Sequence, residues 1–319
     1  MNLRDLRYIT ALARLGHFGR AAEACHISQP TLSGQILKLE EELGIAIFER
    51  VGRSVRLTAA GEQIIEQAQR AVQAADDILA SARAARDPLR GPLSIGAIPT
   101  IAPYLLPHVL PKASMDMPNA PLILHEDITQ NLMTALTAGH LDAAIIATQE
   151  TSPLITQLPL YDEPFWVVLP QAHKLAARKT IAPQDLDPRA LLLLADGHCL
   201  REQALDLCGH PELGDGHLAE VRALSLETLM QLAAAGYGVT LAPELAVQSA
   251  RGLAQGLVAR KLSGKQSYRR ICLAFRRNSP RLKALETLTQ IIRGTIKKSP
   301  NPIDRSKDRA KDLSKNVRL

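Results

Sequence analysis

The stretch FGRAAEACHISQPTLSGQ, from Phe18 to Gln35, decides the fold of the N-terminal region. Its first half carries the small residues Ala21 and Ala22 in a short segment that favours a helix ending near Cys25. Ser28 is a typical N-cap residue, and a proline two positions later is tolerated in the first turn of the helix that follows. The stretch therefore predicts two short helices that pack closely across a tight turn.

The sequence on either side of this helix pair completes a small domain. On the N-terminal side, Asn2 can cap a helix whose apolar residues recur at helical spacing, and Gly16 or Gly19 ends it. On the C-terminal side, the third helix is followed by residues 45–58, which have the pattern of a β-hairpin. We therefore expect three helices and a hairpin within residues 1–60.

The third helix has an apolar face and a polar face. Polar side chains can hydrogen-bond base edges and phosphates when a helix enters the major groove of DNA, and the arginines of the hairpin suit the phosphates. A solvated helix face is the alternative interpretation of the same pattern. The candidate DNA contacts are Ser28, Gln29, Pro30, Thr31, Ser33, Gln35, Lys38, Arg50 and Arg53.

A long helix is predicted from Thr58 onward. Its apolar residues recur at intervals of four and three, which is typical of a heptad seam that pairs two helices. An amphipathic helix packed on its own domain is the alternative. The prolines and the glycine within residues 88–92 end the helix and indicate a domain boundary. The seam residues are Ile64, Ala68, Ala71, Ala75, Ile78 and Ala82.

After residue 92, apolar runs with β character alternate with helical stretches, which predicts an α/β domain of open sheets with ligand sites at strand ends. Predicted helices lie at 132–138 and 226–235. Residues beyond Lys297 are polar and charged, so we expect a disordered tail. The predicted strands lie at 93–98, 121–124, 143–147, 165–169, 190–194, 239–242 and 271–275.

The formal net charge of +6 does not by itself identify the N-terminal region as a DNA reader. Residues 281–319 hold 11 Lys and Arg against 4 Asp and Glu, whereas residues 1–60 hold 8 against 6. No apolar run approaches the ~18 residues that cross a bilayer, and charges interrupt the N-terminus, so we expect a cytoplasmic protein without membrane contact. The four cysteines are too few for a disulfide framework, so each is expected to be a free thiol.

Five motifs resemble those of the LysR-type transcriptional regulators and stand in that family's order. The resemblance covers nearly the whole chain apart from the tail. It implies a winged helix-turn-helix, a dimerising linker helix and an effector domain of two α/β subdomains like a type II periplasmic binding protein. The motifs are the stretch from Phe18 to Gln35, LGIAIFER at 43–50, LTAAG at 57–61, GPLSIG from Gly91 and GYGVTLAP from Gly236.

The resemblance also implies how the chain is divided and what it binds. Double-stranded promoter DNA and RNA polymerase are the implied partners, the chain is implied to form homodimers that assemble into homotetramers, and no cofactor is implied. The implied regions are a DNA-binding domain at 1–60, a linker helix at 61–87, an effector domain at about 88–298 (subdomain I at 88–162 and 269–298, subdomain II at 163–268) and a basic tail at 299–319.

The stretch GHCLREQALDLC, from Gly197 to Cys208, resembles the peroxide-sensing regulators of the LysR-type family more specifically. IPT at 98–100 and the paired arginines at 269 and 270 belong to the same resemblance. It implies that Cys199 reacts with hydrogen peroxide, that Cys208 is its disulfide partner and that the protein regulates oxidative-stress genes. Further candidate residues of this site are Thr100 and Thr129, which we expect to orient peroxide, and His198 and Arg270, which we expect to supply nearby positive charge.

The segment between Cys199 and Cys208 supplies an independent argument for a switch. Its residues are strong helix formers, and on one helix the two cysteines would lie ~13.5 Å apart along the axis and on opposite faces. A disulfide needs Cα atoms within ~7 Å. Oxidation would therefore have to unwind this segment.

Three alternatives remain open at this stage. His198, Cys199, Cys208 and His210 together have the residue types of a zinc site. The chain could also be a peroxide-destroying enzyme, or a metabolite-binding regulator that merely retains the cysteines. The other two cysteines are expected to fill cores; they are Cys25 and Cys272.

Overall fold

The structure is a computed structural model of the chain, and it describes residues 1–51, 54–208, 225–249, 255–264 and 267–298. The chain divides into two compact units, Met1–Asp87 and Pro88–Leu319. Among the described helices, none combines the length and the apolar character that crossing a membrane requires.

The first unit begins with three helices, α1 (Leu3–Leu15), α2 (Phe18–Ala24) and α3 (Gln29–Leu43). The predicted caps are present: the Asn2 side chain accepts from the backbone of α1, and the Ser28 side chain accepts from the Thr31 N–H at 3.3 Å. The three helices enclose one apolar core, which includes Ile9, Leu12, Ala21, Ala22, Leu32, Ile36 and Leu39.

A β-hairpin follows, with β1 (Phe48–Val51) antiparallel to β2 (Ser54–Leu57). The turn of the hairpin lies outside the described residues. Gly61 comes just after the hairpin, and a Cβ at this position would lie 2.1 Å from the backbone oxygen of Ile47. The LTAAG motif therefore requires glycine, because the helix that follows starts in backbone contact with the segment before β1.

That helix, α4 (Ala59–Arg86), is the long helix that the sequence predicts. Its N-terminal half is buried at Ile65 and Ala68 in the core of its own unit, as the alternative interpretation of the pattern required. Further along, the seam residue Ile78 is 70% exposed and its neighbour Leu79 is 54% exposed. Packing within the unit therefore accounts for the first part of the seam but not for its C-terminal part.

The second unit is built on eight described strands. The order across the sheet is β4, β3, β5, β10, β6, β9 and β7, and β8 pairs with β6. β3, β4 and β5 are parallel, whereas β10 runs antiparallel to both β5 and β6. The strands are β3 (Leu93–Ala97), β4 (Leu122–Glu126), β5 (Ala143–Ile146), β6 (Ile155–Pro170), β7 (Thr180–Ile181), β8 (Thr240–Pro243), β9 (Leu257–Leu262) and β10 (Tyr268–Arg276).

Two apolar cores divide this unit into lobes, which matches the predicted two-subdomain α/β class. Lobe I surrounds β3, β4 and β5, and lobe II surrounds β7, β8 and β9, while β6 runs through both. The described helices are α5 (Ala102–Asp116), α6 (Thr129–Thr137), α7 (Cys199–Cys208), α8 (Leu226–Ala234), α9 (Glu244–Gln248) and α10 (Leu282–Lys298).

The predicted strand at 190–194 is wrong. A 3₁₀ turn, Pro188–Ala190, lies at its start, and the segment forms isolated bridges at Leu191, which pairs with Val239, and at Leu194 rather than a strand. Gly238 explains the close approach, because a Cβ there would lie 2.3 Å from the Ala190 oxygen. This segment is thus held against the GYGVTLAP motif by two backbone hydrogen bonds with Val239 and by the Thr240 hydroxyl, which donates to the Leu192 oxygen, rather than by a continuous ladder.

The two cysteines outside the stretch from Gly197 to Cys208 pack as expected. Cys25 is half-buried at the edge of the helical core, and burial raises its pKa. Cys272 is buried on β10, and burial raises its pKa as well. The tail, residues 299–319, lies outside the described residues.

Candidate thiol site

The loops after β3 and β4 and the start of α7 meet at Cys199. Parallel strands present their carboxyl ends at one edge of a sheet, and open α/β sheets bind ligands there. The three segments come from distant parts of the sequence, so the fold assembles the site. The residues that line it are Ile98, Pro99, Thr100, Ile128, Thr129, Gly197, His198 and Cys199.

The site is a narrow cleft rather than an open pocket. Its walls lie so close together that they must part slightly to admit even a water-sized molecule. Gly197 has a φ of +87°, which favours glycine, and a Cβ there would lie 3.0 Å from Ile128. A larger residue at this position would displace the opposite wall, so glycine sets the width of the cleft.

Opposing effects act on the thiol of Cys199, which is buried at the first turn of α7. Burial raises its pKa, because a thiolate is poorly solvated in an apolar environment. The positive charge of Arg269, the Thr129 hydroxyl and the Leu200 backbone N–H oppose this effect, while the Glu202 carboxylate adds to it. The net direction is a raised pKa, so the thiol of the folded protein is less acidic than a free cysteine.

Arg269 is the buried cation of the site. Its guanidinium donates to the Thr100 hydroxyl at 2.8 Å and to the Thr100 carbonyl at 3.0 Å. It also donates from Nε to Glu163 at 2.9 Å, and its ion pair with Glu163 is 2.8 Å long. Both side chains are almost completely buried. This network fixes the guanidinium beside Cys199, because each of its partners is itself held by the fold.

The structure corrects the role that the sequence suggested for Arg270. Its side chain is exposed and donates to Asp162 at 2.8 and 3.1 Å. Side chains alternate between the two faces of a strand, and along β10 it is Arg269 that shares the buried face with Ile271. The buried charge therefore comes from Arg269. The sequence indicated Arg269 only as one of the paired arginines and did not indicate Glu163, although alternation from Ile271 places Arg269 on the buried face.

His198 and Thr129 both lie at the cleft, but His198 differs from its expected role. Burial lowers the pKa of His198, so its imidazole is neutral near pH 7 and supplies no charge. Thr129 is the first residue of α6, and its buried hydroxyl has no oxygen or nitrogen partner among the described residues. The hydroxyl faces the Cys199 sulfur instead.

Cys208 lies at the opposite end of α7 from Cys199, and both thiols are free. The helix separates them by ~13.5 Å along its axis, as the sequence predicts. Burial raises the pKa of Cys208 to about 11. The separation also bears on the zinc alternative, because two ligands of one zinc ion must both lie ~2.3 Å from it. With α7 intact, Cys199 and Cys208 cannot share an ion; His210 lies outside the described residues.

Two family models match most of the chain. Residues 3–62 match the bacterial regulatory helix-turn-helix proteins of the lysR family, and residues 86–297 match the LysR substrate binding domain. The chain belongs to the LysR family.

Individual relatives within the LysR family are OxyR proteins. The chain is 42% identical over 93% of its length to the Escherichia coli K12 DNA-binding transcriptional dual regulator OxyR, of which the alignment covers 96%. A full-length cysteine-to-aspartate variant of Pseudomonas aeruginosa OxyR is 42% identical and superposes with a TM-score of 0.76, covering 92% of this chain and 98% of that one. A hydrogen peroxide-bound mutant of Corynebacterium glutamicum OxyR is 36% identical, with a TM-score of 0.61 and coverages of 93% and 92%.

The surface expected of a LysR-family DNA reader is present on α3. Its candidate contacts are exposed, except for Ser33, which is half-buried. The apolar residues Leu32, Ile36 and Leu39 point into the core on the other side. The side chain of Arg50 and the whole of Arg53 lie outside the described residues. The exposed α3 residues are Ser28, Gln29, Pro30, Thr31, Gln35 and Lys38.

Proposed function

We propose that this LysR-family protein is a peroxide-responsive transcriptional regulator of oxidative-stress genes, switched by a reversible disulfide between Cys199 and Cys208. In the first step the Cys199 sulfur attacks one oxygen of hydrogen peroxide, the O–O bond breaks, and a sulfenic acid and water form. In the second step the Cys208 sulfur displaces the sulfenic hydroxyl as water, and the S–S bond forms. The two thiols lose two electrons and peroxide gains them.

The observation that carries this proposal is the placement of Cys199 in a cleft lined by Thr100 and Thr129, with the buried Arg269 bonded to Thr100. Attack on peroxide moves negative charge onto the departing oxygen, and a fixed cation with nearby hydroxyl groups stabilises that charge. The narrowness of the cleft suits a molecule as small as peroxide. Peroxide is also the molecule bound in one of the OxyR relatives.

The position of Cys208 supports the second step as a conformational signal. The two sulfurs cannot meet while α7 is intact, so disulfide formation must unwind this helix. Unwinding also exposes Cys208 to water, which restores an ordinary thiol pKa and speeds its attack. One covalent bond thereby changes the surface of the effector domain.

The output is specific binding to promoter DNA through α3, with Gln29 and Thr31 reading base edges. We propose homodimers that pair through the exposed part of α4 and assemble into homotetramers, acting with RNA polymerase in the cytoplasm. A change in dimer packing would alter the spacing of the two DNA readers, because a two-fold site needs two linked helices.

The test is the rate of thiol loss at Cys199 under limiting peroxide, compared with a free model thiol at the same pH. We expect Cys199 to react faster by at least about tenfold, the effect of about 1.4 kcal/mol of transition-state stabilisation. Cys199→Ser should remain locked in the reduced state, and Cys208→Ser should accumulate sulfenic or over-oxidised Cys199. Equal rates for Cys199 and the model thiol would contradict the proposed sensor function.

Two further outcomes of the same experiment favour other functions. Continuous peroxide consumption that Cys199→Ser abolishes, without any change in operator binding, would indicate a thiol peroxidase. Stoichiometric zinc that is lost on Cys208→Ser or His210→Ala would indicate a metal site. Operator binding that responds to a small metabolite but not to peroxide would indicate a metabolite-binding regulator with the same fold and without the disulfide switch.

A further inference from the structure

α7 lies between the two lobes and presents a different face to each. Leu200 and Ala204, one turn apart, belong to the core of lobe II. Cys199 belongs to the core of lobe I, and Gln203 stands one turn further along the same face as Cys199. The contact of α7 with lobe I therefore starts at the reactive thiol and continues toward Cys208.

Gln203 makes a hydrogen bond across this boundary. Its side-chain Nε2 donates to the backbone oxygen of Ala147 at 2.8 Å. Ala147 directly follows β5 and is buried in the core of lobe I. The orientation of the amide is fixed by chemistry, because a carbonyl oxygen only accepts and must face the NH₂ group. The bond thus ties the second turn of α7 to the end of a central strand.

The oxygen of the same amide has no such hydrogen bond. The Oε1 atom of Gln203 is buried and has no hydrogen-bond partner among the described residues. A buried acceptor without a partner costs about 1–3 kcal/mol, whereas a neutral hydrogen bond contributes about 0.5–1.5 kcal/mol net. The amide therefore holds α7 against lobe I only weakly, which suits a contact that has to open.

We propose that Gln203 is a positioning residue of the thiol switch, a clasp whose bond to Ala147 must open before Cys208 can reach Cys199. This inference rests on the proposed function. Gln203 is not among the residues that line the cleft, so it acts on the helix rather than on peroxide. Opening the clasp frees the face of α7 that carries Cys199, and lobe I loses a tether to lobe II in the disulfide state.

The first test needs no oxidant. Hydrogen exchange of the α7 amides is compared in the reduced full-length protein, Gln203→Leu and Gln203→Glu, with Asp206→Asn on the exposed face of the same helix as the control. In Gln203→Leu the Ala147 oxygen loses its donor, which offsets the removal of the unpaired Oε1, so we expect exchange about two- to twelvefold faster from the lost hydrogen bond. Exchange in Gln203→Glu should be faster still than in Gln203→Leu, because a carboxylate repels the Ala147 oxygen. Unchanged exchange in both variants overturns the inference.

The second test separates the two steps of oxidation by rapid mixing with peroxide. Formation of the sulfenic acid should stay within about twofold of the unmodified protein in both Gln203 variants, while disulfide formation should accelerate in the order Leu, then Glu. A larger effect on the first step would place Gln203 in the peroxide chemistry and overturn its role as a clasp. If the unmodified protein fails to form a sulfenic acid at all, the proposed function fails, and the exchange experiment still decides the role of Gln203.

Discussion

At the scale of single residues, the reactivity of Cys199 depends on a balance between burial and one fixed charge. Burial raises the pKa of the thiol, and Arg269 acts in the opposite direction. Reaction with peroxide requires the thiolate, so the rate rises with pH until the thiol has ionised. Because Arg269 opposes the effect of burial on the pKa, the oxidation rate begins to rise at lower pH. The rate near pH 7 therefore depends on this one charge.

Removing Arg269 is therefore predicted to move the pH profile of Cys199 oxidation upward. Arg269→Met alone leaves Glu163 buried without its partner, which costs about 3–5 kcal/mol of stability, so it is combined with Glu163→Gln. We expect the rate near pH 7 to fall about tenfold, because the pKa of Cys199 rises further once the charge that opposes burial is gone. Stopped-flow measurement of thiol loss across pH gives the profile.

The neighbouring arginine is the matched control for this prediction. Arg270→Met removes an exposed cation that is paired with Asp162, so its profile should coincide with that of the unmodified protein. Arg269→Lys keeps the charge but not the two-point bond to Thr100, and we expect an intermediate rate. If Arg270→Met slowed the reaction as much as the double variant, the assignment of the buried cation would be wrong.

The high pKa of Cys208 gives a second residue-scale prediction. In a variant that retains Cys208 as the only cysteine, alkylation of the reduced protein should rise with pH toward a midpoint near the value of about 11. Urea should return the midpoint to that of an ordinary cysteine, because unfolding α7 removes the burial. A normal midpoint in the folded protein would show that Cys208 is already accessible.

The sequence predicts most of these residues but not their register. GHCLR and IPT place Cys199, His198 and Thr100 at one site, and the structure brings all three to the cleft. Two adjacent arginines carry the same charge, and only the pairing of β10 with its neighbours determines which one is buried. The neutral state of His198 likewise follows from burial, which a sequence does not contain.

At the scale of elements, the start of α4 depends on a glycine. Gly61→Ala would place a Cβ 2.1 Å from the Ile47 oxygen, so we predict a loss of about 1–3 kcal/mol or more in the stability of the first unit. Gly34→Ala is the control, because it lies within α3 with nothing within 4 Å, and it should add about 0.5–1 kcal/mol. Native-state hydrogen exchange of the α1 amides measures both; a neutral Gly61→Ala would contradict the close approach.

Elements with strong local signals are the ones that the sequence predicts well. α1 and α3 have side-chain caps and a clear apolar face, and α7 consists of helix formers. α5 was missed because Pro107 and Pro111 lie inside it, where proline normally interrupts a helix. The apparent strand at 190–194 is apolar because it is buried between segments, and burial alone does not create a ladder.

At the scale of the whole molecule, α4 leaves apolar side chains exposed where a second chain could pack. We predict that Ile78→Lys weakens dimers and operator binding together, because a charge in an apolar seam is costly and a two-fold DNA site needs two linked readers. Ala80→Lys, two residues along and on the opposite side of the helix, is the control. Analytical ultracentrifugation and operator titration measure the two effects, and a fully dimeric Ile78→Lys would place the seam elsewhere.

The proposed switch requires that peroxide joins Cys199 to Cys208. Mass spectrometry after a brief pulse of stoichiometric peroxide detects this disulfide directly. The full-length reduced protein is treated, the remaining thiols are blocked with an alkylating agent, and the protein is digested without reduction. We expect a cross-linked peptide pair that joins Cys199 and Cys208, with Cys25 and Cys272 alkylated as internal controls. Recovery of Cys199 as an alkylated thiol to the same extent as Cys25 and Cys272 would contradict it.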